Sequence, residues 1–373
     1  MISDLKNKKV LVLGGTGFIG SRLVERLCLE EQAQVTVMVN SWSKATWVSR
    51  TNATLIQGNL FDEAKLEEIV ADNEIVFHFV GLGGSYEEAM KINVHGTQNV
   101  LNACLKKGVK RIIYLSSVVV HGAEIPSDMD EEQAYLKTGN AYADSKIKAE
   151  KLVLNTINEN EIEGVIIRPT FVWGPVSPYY TIDIIQQMKN KTFVLVDDGN
   201  GACNAVYIDN LIDLCLISST HEQAKNQVFL ACDGEKITWG RFYEYYAEML
   251  SKKITDFKSI PLKSNFNRKF LLASKRMLEK HRLSLTSKIN KRKSDKTFIV
   301  KFTLKAPRKV LKKMIFKIEK LQPEMDEWEL KTYSSKGFIS IKKTLKMLNY
   351  SPRISVEEGM KNSELWLRDQ KFI

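Results

Sequence analysis

The stretch Lys8-Lys9-Val10-Leu11-Val12-Leu13-Gly14-Gly15-Thr16-Gly17-Phe18-Ile19-Gly20 decides the fold. Its first half is a short apolar run, the pattern of a strand buried on both faces. Its second half spaces glycines as Gly14-x-x-Gly17-x-x-Gly20 and opens Phe18–Leu29, where apolar residues recur at helical spacing. A strand that turns through glycine into a helix makes a phosphate cradle. Gly14 permits the tight turn, Gly17 lets the backbone approach a pyrophosphate, and Gly20 lets helix and strand pack closely. The helix N-terminus then favours the anion.

Further strand-like runs are Gln34–Val39, Thr54–Gln57, Glu74–Val80, Arg111–Ser116 and Gly164–Arg168. Helical patterns over 62–70, 86–106 and 140–158 lie between them. This alternation predicts an α/β fold, a doubly wound parallel (Rossmann) sheet with every strand C-terminus on one edge, where ligands bind. After Arg168-Pro169 the pattern turns irregular, with helices expected near 181–190, 208–219, 238–251, 339–348 and 355–369. The expected organisation is a dinucleotide-binding domain over 1–176, with 203–233 returning to it. Residues 177–202 and 234–373 form a smaller substrate domain carrying a basic amphipathic insertion over 263–331.

A second constellation lies downstream. Tyr142 and Lys146 sit at i and i+4 on one helix face. A free tyrosine hydroxyl, with a pKa of about 10, is a poor base at neutral pH, and a neighbouring ammonium lowers that value. Ser116-Ser117 ends a strand on the ligand edge, where a hydroxyl can hold a reacting oxygen.

Jointly these residues resemble the extended short-chain dehydrogenase/reductases, the NAD-dependent epimerase/dehydratase group. The resemblance also rests on Phe77-His78-Phe79-Val80-Gly81, Asn93-Val94-His95-Gly96-Thr97, Arg168-Pro169, Val206-Tyr207-Ile208-Asp209-Asn210-Leu211 and a tail over 341–369. It implies Ser117, Tyr142 and Lys146 as catalytic residues, with Lys146 also binding the ribose and lowering the tyrosine pKa. It implies cofactor contacts at Gly14, Gly17, Phe18, Ile19, Gly20, Val80, Asn59 and Leu60; Asn59 replaces the family's usual Asp beside the adenine. Asn93 would fix its helix beside the sheet. His121 stands where Tyr is common before Gly122. It is read as a substrate contact, with a satisfied loop histidine as the alternative. Trp173 and Asn204 are the other expected substrate contacts.

The resemblance also narrows the chemistry. Sugar 4,6-dehydratases carry Asp-Glu just after the catalytic Thr/Ser, where this chain has Val118-Val119. Dehydration and decarboxylation are therefore not expected. The implied reaction is Tyr-assisted hydride transfer through a keto intermediate, on a sugar or nucleotide-sugar substrate. The arginine that meets the diphosphate in nucleotide-sugar epimerases is absent near Cys203, although Arg168, Lys191 or the basic segment could supply charge. That keeps open a reductase or dehydrogenase of a small hydroxyl/ketone substrate, including sterol-like alcohols. A non-catalytic dinucleotide-binding regulator would be expected to lose Tyr142 or Lys146, and both are present. The cofactor is NAD or NADP. Family habit points to NAD, but the second strand ends Val39-Asn40-Ser41-Trp42-Ser43-Lys44 with no acid for a ribose 2′-hydroxyl. Asn40 could bond either form, and Lys44 could meet a 2′-phosphate.

The 373 residues include 55 Lys/Arg and 44 Asp/Glu, a net charge of +11. Residues 261–320 hold twenty of the basic residues and three acids, a net +17. The rest carries 35 basic and 41 acidic residues, a net −6. No apolar run approaches the ~20 residues of a spanning helix. The N-terminus leads straight into a strand, with no signal-peptide pattern. The five cysteines are scattered without metal spacing, as expected for buried thiols in a reducing cytoplasm. A homodimer would be usual for the family. Within 307–320, Val310, Leu311, Met314, Ile315 and Ile318 form an apolar stripe bordered by lysines. That pattern suits a peripheral anionic membrane contact or a solvated cap; nucleic acid is disfavoured because no reader motif accompanies the charge. Flotation with anionic liposomes separates the two: binding at low salt supports the lipid surface, and none removes it.

Overall fold

The computed structural model describes residues 4–159, 162–261 and 325–373. Most of the basic insertion lies outside the described residues. Contacts divide the chain into two units, Met1–Ser259 with Lys331–Ile373, and Ile260–Leu330. The boundaries expected at 176 and 202 fall inside the first unit.

The first unit is built on one sheet. Its strands are β1 (Lys9–Leu13), β2 (Gln34–Val39), β3 (Thr54–Gln57), β4 (Ile75–His78), β5 (Arg111–Leu115), β6 (Glu163–Pro169) and a seventh, Gln227–Ala231. They lie in the order Gln227–Ala231, β6, β5, β4, β1, β2, β3, and all neighbours are parallel. The chain winds outward from β1 in both directions, so the β1–β4 boundary is the point where ligands enter such sheets.

The central strands β1, β4 and β5 are largely apolar because both faces are covered. Val10 and Val12 join Val35, Val37 and Phe77 in a core closed by Leu23, Val24 and Leu27 of α1 (Phe18–Leu29). Leu11 and Leu13 face the opposite way. They pack with Leu66 and Ile69 of α2 (Glu63–Val70), a helix that precedes the short α3 (Tyr86–Ala89). Val100 and Leu101 of α4 (Gly96–Lys107) and Val153 and Ile157 of α5 (Ala141–Glu159) complete that face. The seventh strand belongs to a stretch read only as returning to this domain; its run Gln227–Ala231 is as apolar as β4. All five cysteines are free and buried.

Residues 335–340 run back across the ligand edge. Ser335 Oγ donates to Ile125 O and accepts from Ile125 N, each at 2.9 Å. Ala202 N donates to Ser335 O at 2.7 Å, and Ser340 N to Met129 O at 2.8 Å. This segment therefore holds the loop that joins Ser117 to Tyr142. No helix among the described residues is long and apolar enough to cross a membrane.

Candidate active site

The glycine turn is as tight as its spacing predicts. Gly14 sits at φ +86°, and a Cβ there would lie 2.8 Å from the Phe79 carbonyl carbon and 2.9 Å from Val80 N. A Cβ on Gly20 would collide with Gly14 O. The turn is pressed against the β4 exit so closely that side chains are excluded from it. Gly17 caps α1 without a side-chain bond. The cradle fits a dinucleotide pyrophosphate approached by backbone N–H groups, and Val80 lies at its wall. Asn59 is exposed, but its Oδ1 accepts from Phe61 N at 2.8 Å and Asp62 N at 3.1 Å, while Leu60 is buried beneath. Asn40 and Lys44 are exposed after β2.

Ser117, Tyr142 and Lys146 converge beyond the β5 C-terminus. Ser117 is the residue before the turn Val118–His121, and its Oγ accepts from Val119 N at 3.4 Å. Tyr142 lies in the first turn of α5, whose start is held by Asn140 Oδ1 accepting from Ala143 N. Burial pushes the Tyr142 hydroxyl up to about 12, opposed by a hydrogen bond with Ser117. The expected depression by Lys146 is not what this geometry gives. Lys146 Nζ donates to Leu115 O at 2.7 Å and to Tyr114 Oη at 3.3 Å, and lies over the Tyr114 ring. Two of its three N–H donors are engaged at the strand end, and burial brings it down to about 8, against the attraction of Glu150.

Asn93 joins the two sides of the cleft. Its side chain accepts from Leu82 N and donates to Leu82 O and Ser145 Oγ, each at 2.8 Å. Ser145 Oγ in turn donates to Tyr142 O. The Leu82 loop is thereby tied to α5. His78 lies wholly buried beneath. Thr97 Oγ1 donates to Asn93 O, so its bond to His78 at 2.9 Å is donated by Nε2–H. Burial and the Lys146 charge push His78 down to about 3, leaving it neutral.

Three expected substrate contacts are buried and engaged with other protein groups. His121 is buried; Nδ1–H donates to Ala134 O at 3.2 Å, and Nε2 accepts from Arg168 Nη1 at 3.1 Å. Both ring nitrogens are engaged. Trp173 is fully buried, edge-on to Tyr207 and Phe242 at 5.0 and 5.3 Å. Asn204 donates to Gly337 O and accepts from Ile339 N, each at 2.9 Å, so it anchors the crossing segment. Arg168 is unavailable to a diphosphate as well, because it is 3% exposed and paired with Glu150.

Glu150 is the residue the sequence reading missed. It accepts from Ser116 Oγ at 2.5 Å, Tyr135 Oη at 2.7 Å and Arg168 Nε at 2.9 Å, and from Arg168 Nη2. Its spacing was a usable signal: Tyr142, Lys146 and Glu150 lie at i, i+4 and i+8 on one helix face. Three large side chains are exposed on the segments that flank the site. Leu82 is 45% exposed, Leu136 53% and Tyr179 70%. Leu136 N donates to Val120 O, and Tyr179 lies close enough to raise the Tyr142 pKa.

The fold and this constellation define an enzyme of the extended short-chain dehydrogenase/reductase type, dependent on a nicotinamide dinucleotide. More narrowly, the chain belongs to the 3-beta hydroxysteroid dehydrogenase/isomerase family, which matches residues 11–250. It is 26% identical to short-chain dehydrogenase/reductase family 42E member 1 of Xenopus laevis over 69% of this chain and 71% of that protein. It is 33% identical to 2-alkyl-3-oxoalkanoate reductase of Stenotrophomonas maltophilia (strain K279a), over 54% of this chain and 62% of that one. The crystal structure of a UDP-glucose 4-epimerase with UDP-glucose from Thermotoga maritima shares the fold. Its TM-score is 0.70 at 20% identity, covering 97% of this chain and 99% of that one.

If Asn204 anchors residues 337–339, Asn204→Ala removes partners from a buried N–H and carbonyl. It should cost ~1–3 kcal/mol of stability, read as a lower melting temperature. KM should stay within about twofold of wild type. A large KM change with unaltered melting would restore Asn204 as a substrate ligand.

Proposed function

We propose that this enzyme reduces a ketone, or oxidises the matching secondary alcohol, on a predominantly apolar small molecule. One observation carries this reading. The polar side chains expected to meet a sugar, His121, Asn204 and Arg168, are satisfied inside the protein, while the large side chains left exposed on the flanking segments are Leu82, Leu136 and Tyr179. A hydroxyl-rich substrate would find few partners there, and unpaired polar groups oppose binding. The 2-alkyl-3-oxoalkanoate reductase named above is consistent with such a substrate. The net +17 of residues 261–320 further supports work beside an anionic surface, where apolar substrates partition.

The bound dinucleotide would supply the hydride. The Gly14–Gly20 turn would hold its pyrophosphate, with Phe18, Ile19 and Val80 as further contacts, and Asn59 and Leu60 would meet the adenine. Tyr142, held protonated at neutral pH, gives its proton to the substrate oxygen. Ser117, in hydrogen-bonding reach of that hydroxyl, holds the same oxygen. Lys146 presents a positive charge beside Leu115 O, where the ribose is expected. Glu150 keeps Ser116 against α5, and so fixes Ser117 relative to Tyr142.

Absorbance at 340 nm tests the reading with a panel of 3-ketosteroids, 2-alkyl-3-oxoalkanoates and UDP-sugars. Net loss of reduced cofactor with an apolar ketone is expected, and Tyr142→Phe should slow it roughly 10²-fold or more. An isomerised UDP-sugar with no net absorbance change would replace this reading with a sugar epimerase. In the reductive direction kcat/KM should also fall above about pH 8, as Lys146 loses its proton. A profile flat to pH 10 would remove Lys146 from that role.

A further inference from the structure

From Asn40 to Ala53 the chain carries no carboxylate and two cations, Lys44 and Arg50. This stretch follows β2, where the adenosine ribose of a dinucleotide lies in a sheet of this topology. An acid at this place accepts from the ribose 2′-hydroxyl and repels a 2′-phosphate. Here the first residue past the strand is Asn40, exposed and uncharged. Across β3 the corresponding exit carries Asn59, and the nearby Asp62 carboxylate is turned to Lys65 N at 3.1 Å.

The turn that carries Lys44 is built rather than loose. Lys44 N donates to Ser41 O at 3.1 Å, and the Ser41 and Ser43 hydroxyls are hydrogen-bonded at 2.9 Å. Trp42 Nε1 donates to Gln57 Oε1 at 3.0 Å, which fastens the turn to the last residue of β3 and leaves the indole 53% exposed. Arg50 is drawn aside over the Trp47 ring, 5.5 Å from its centroid. Lys44 is exposed, and among the described residues no carboxylate pairs with it.

We infer that this turn is a 2′-phosphate subsite, so that the enzyme selects NADP(H) over NAD(H) through Lys44, with the Ser41 and Ser43 hydroxyls as further donors. The inference rests on the dinucleotide reading above and deepens it. A lysine has no acceptor to offer a 2′-hydroxyl, whereas a dianionic phosphate gains a charge-assisted hydrogen bond. Selection of NADP(H) also agrees with a reductive role.

Isothermal titration of the full chain with NADP+, NAD+, adenosine 2′,5′-bisphosphate and AMP tests it without turnover. NADP+ should bind at least about tenfold more tightly than NAD+, the scale of one charge-assisted contact. Lys44→Ala should weaken NADP+ and the bisphosphate about tenfold, leaving NAD+ and AMP within about twofold. Lys44→Glu should reverse the preference, and added salt should weaken NADP+ more than NAD+. NAD+ binding as tight as NADP+, or a Lys44→Ala change equal for both, would overturn the subsite and leave the dinucleotide reading standing. Binding of neither dinucleotide would overturn both.

Discussion

A single buried carboxylate holds the candidate site in register. Glu150 is fully enclosed, and such a charge is costly unless its oxygens are well supplied with donors. Here the donors come from three elements. Ser116 belongs to the β5 exit, Arg168 to β6, and Tyr135 to the loop that leads into α5. One anion thus ties together the strand end bearing Ser117, the helix bearing Tyr142 and Lys146, and the loop between them. Arg168 extends the tie to His121 and to Glu131 O. Removing either partner would leave an uncompensated charge in the interior, so the network tolerates little change.

The same interior explains why polar residues near the site are poor guides to substrate. His121, Asn204 and Arg168 look like ligands in a linear reading because they lie beside motif residues. Folded, each meets a group that would otherwise be buried without a partner, and so none is left for a ligand. The substrate preference proposed above rests instead on side chains that no motif marks. Leu82 stands on a loop fixed by Asn93, Leu136 on the segment bonded to Val120, and Tyr179 close to Tyr142.

The sheet and the phosphate turn were legible because they depend on local pattern. β2, β3 and α1 have the bounds that apolar spacing predicts, and glycines at 14 and 20 occupy places where a Cβ would collide. The convergence of Ser117, Tyr142 and Lys146 followed from strand-end and helix-face geometry. Pairings across long separations were not legible. Asn204 meets residues more than 130 positions away, and Ser335 meets Ile125 across 210. The direction of the Tyr142 shift was missed for a related reason. An i+4 lysine was within reach, but a carbonyl at Leu115 and the Tyr114 hydroxyl lay nearer.

The bonds from Ser335 and Ser340 to the Ile125–Met129 loop bear on the order in which the molecule assembles. The Rossmann sheet and its helices close through contacts made early in synthesis. The loop between Ser117 and Tyr142 cannot take its final backbone partners until residues some two hundred positions downstream have left the ribosome. Such closures form late, because a long loop must be ordered before its contacts are gained. The nascent protein would therefore hold a finished nucleotide cradle for much of its synthesis beside a catalytic cleft still unframed. Its last described segments would act as the final fastening of the site.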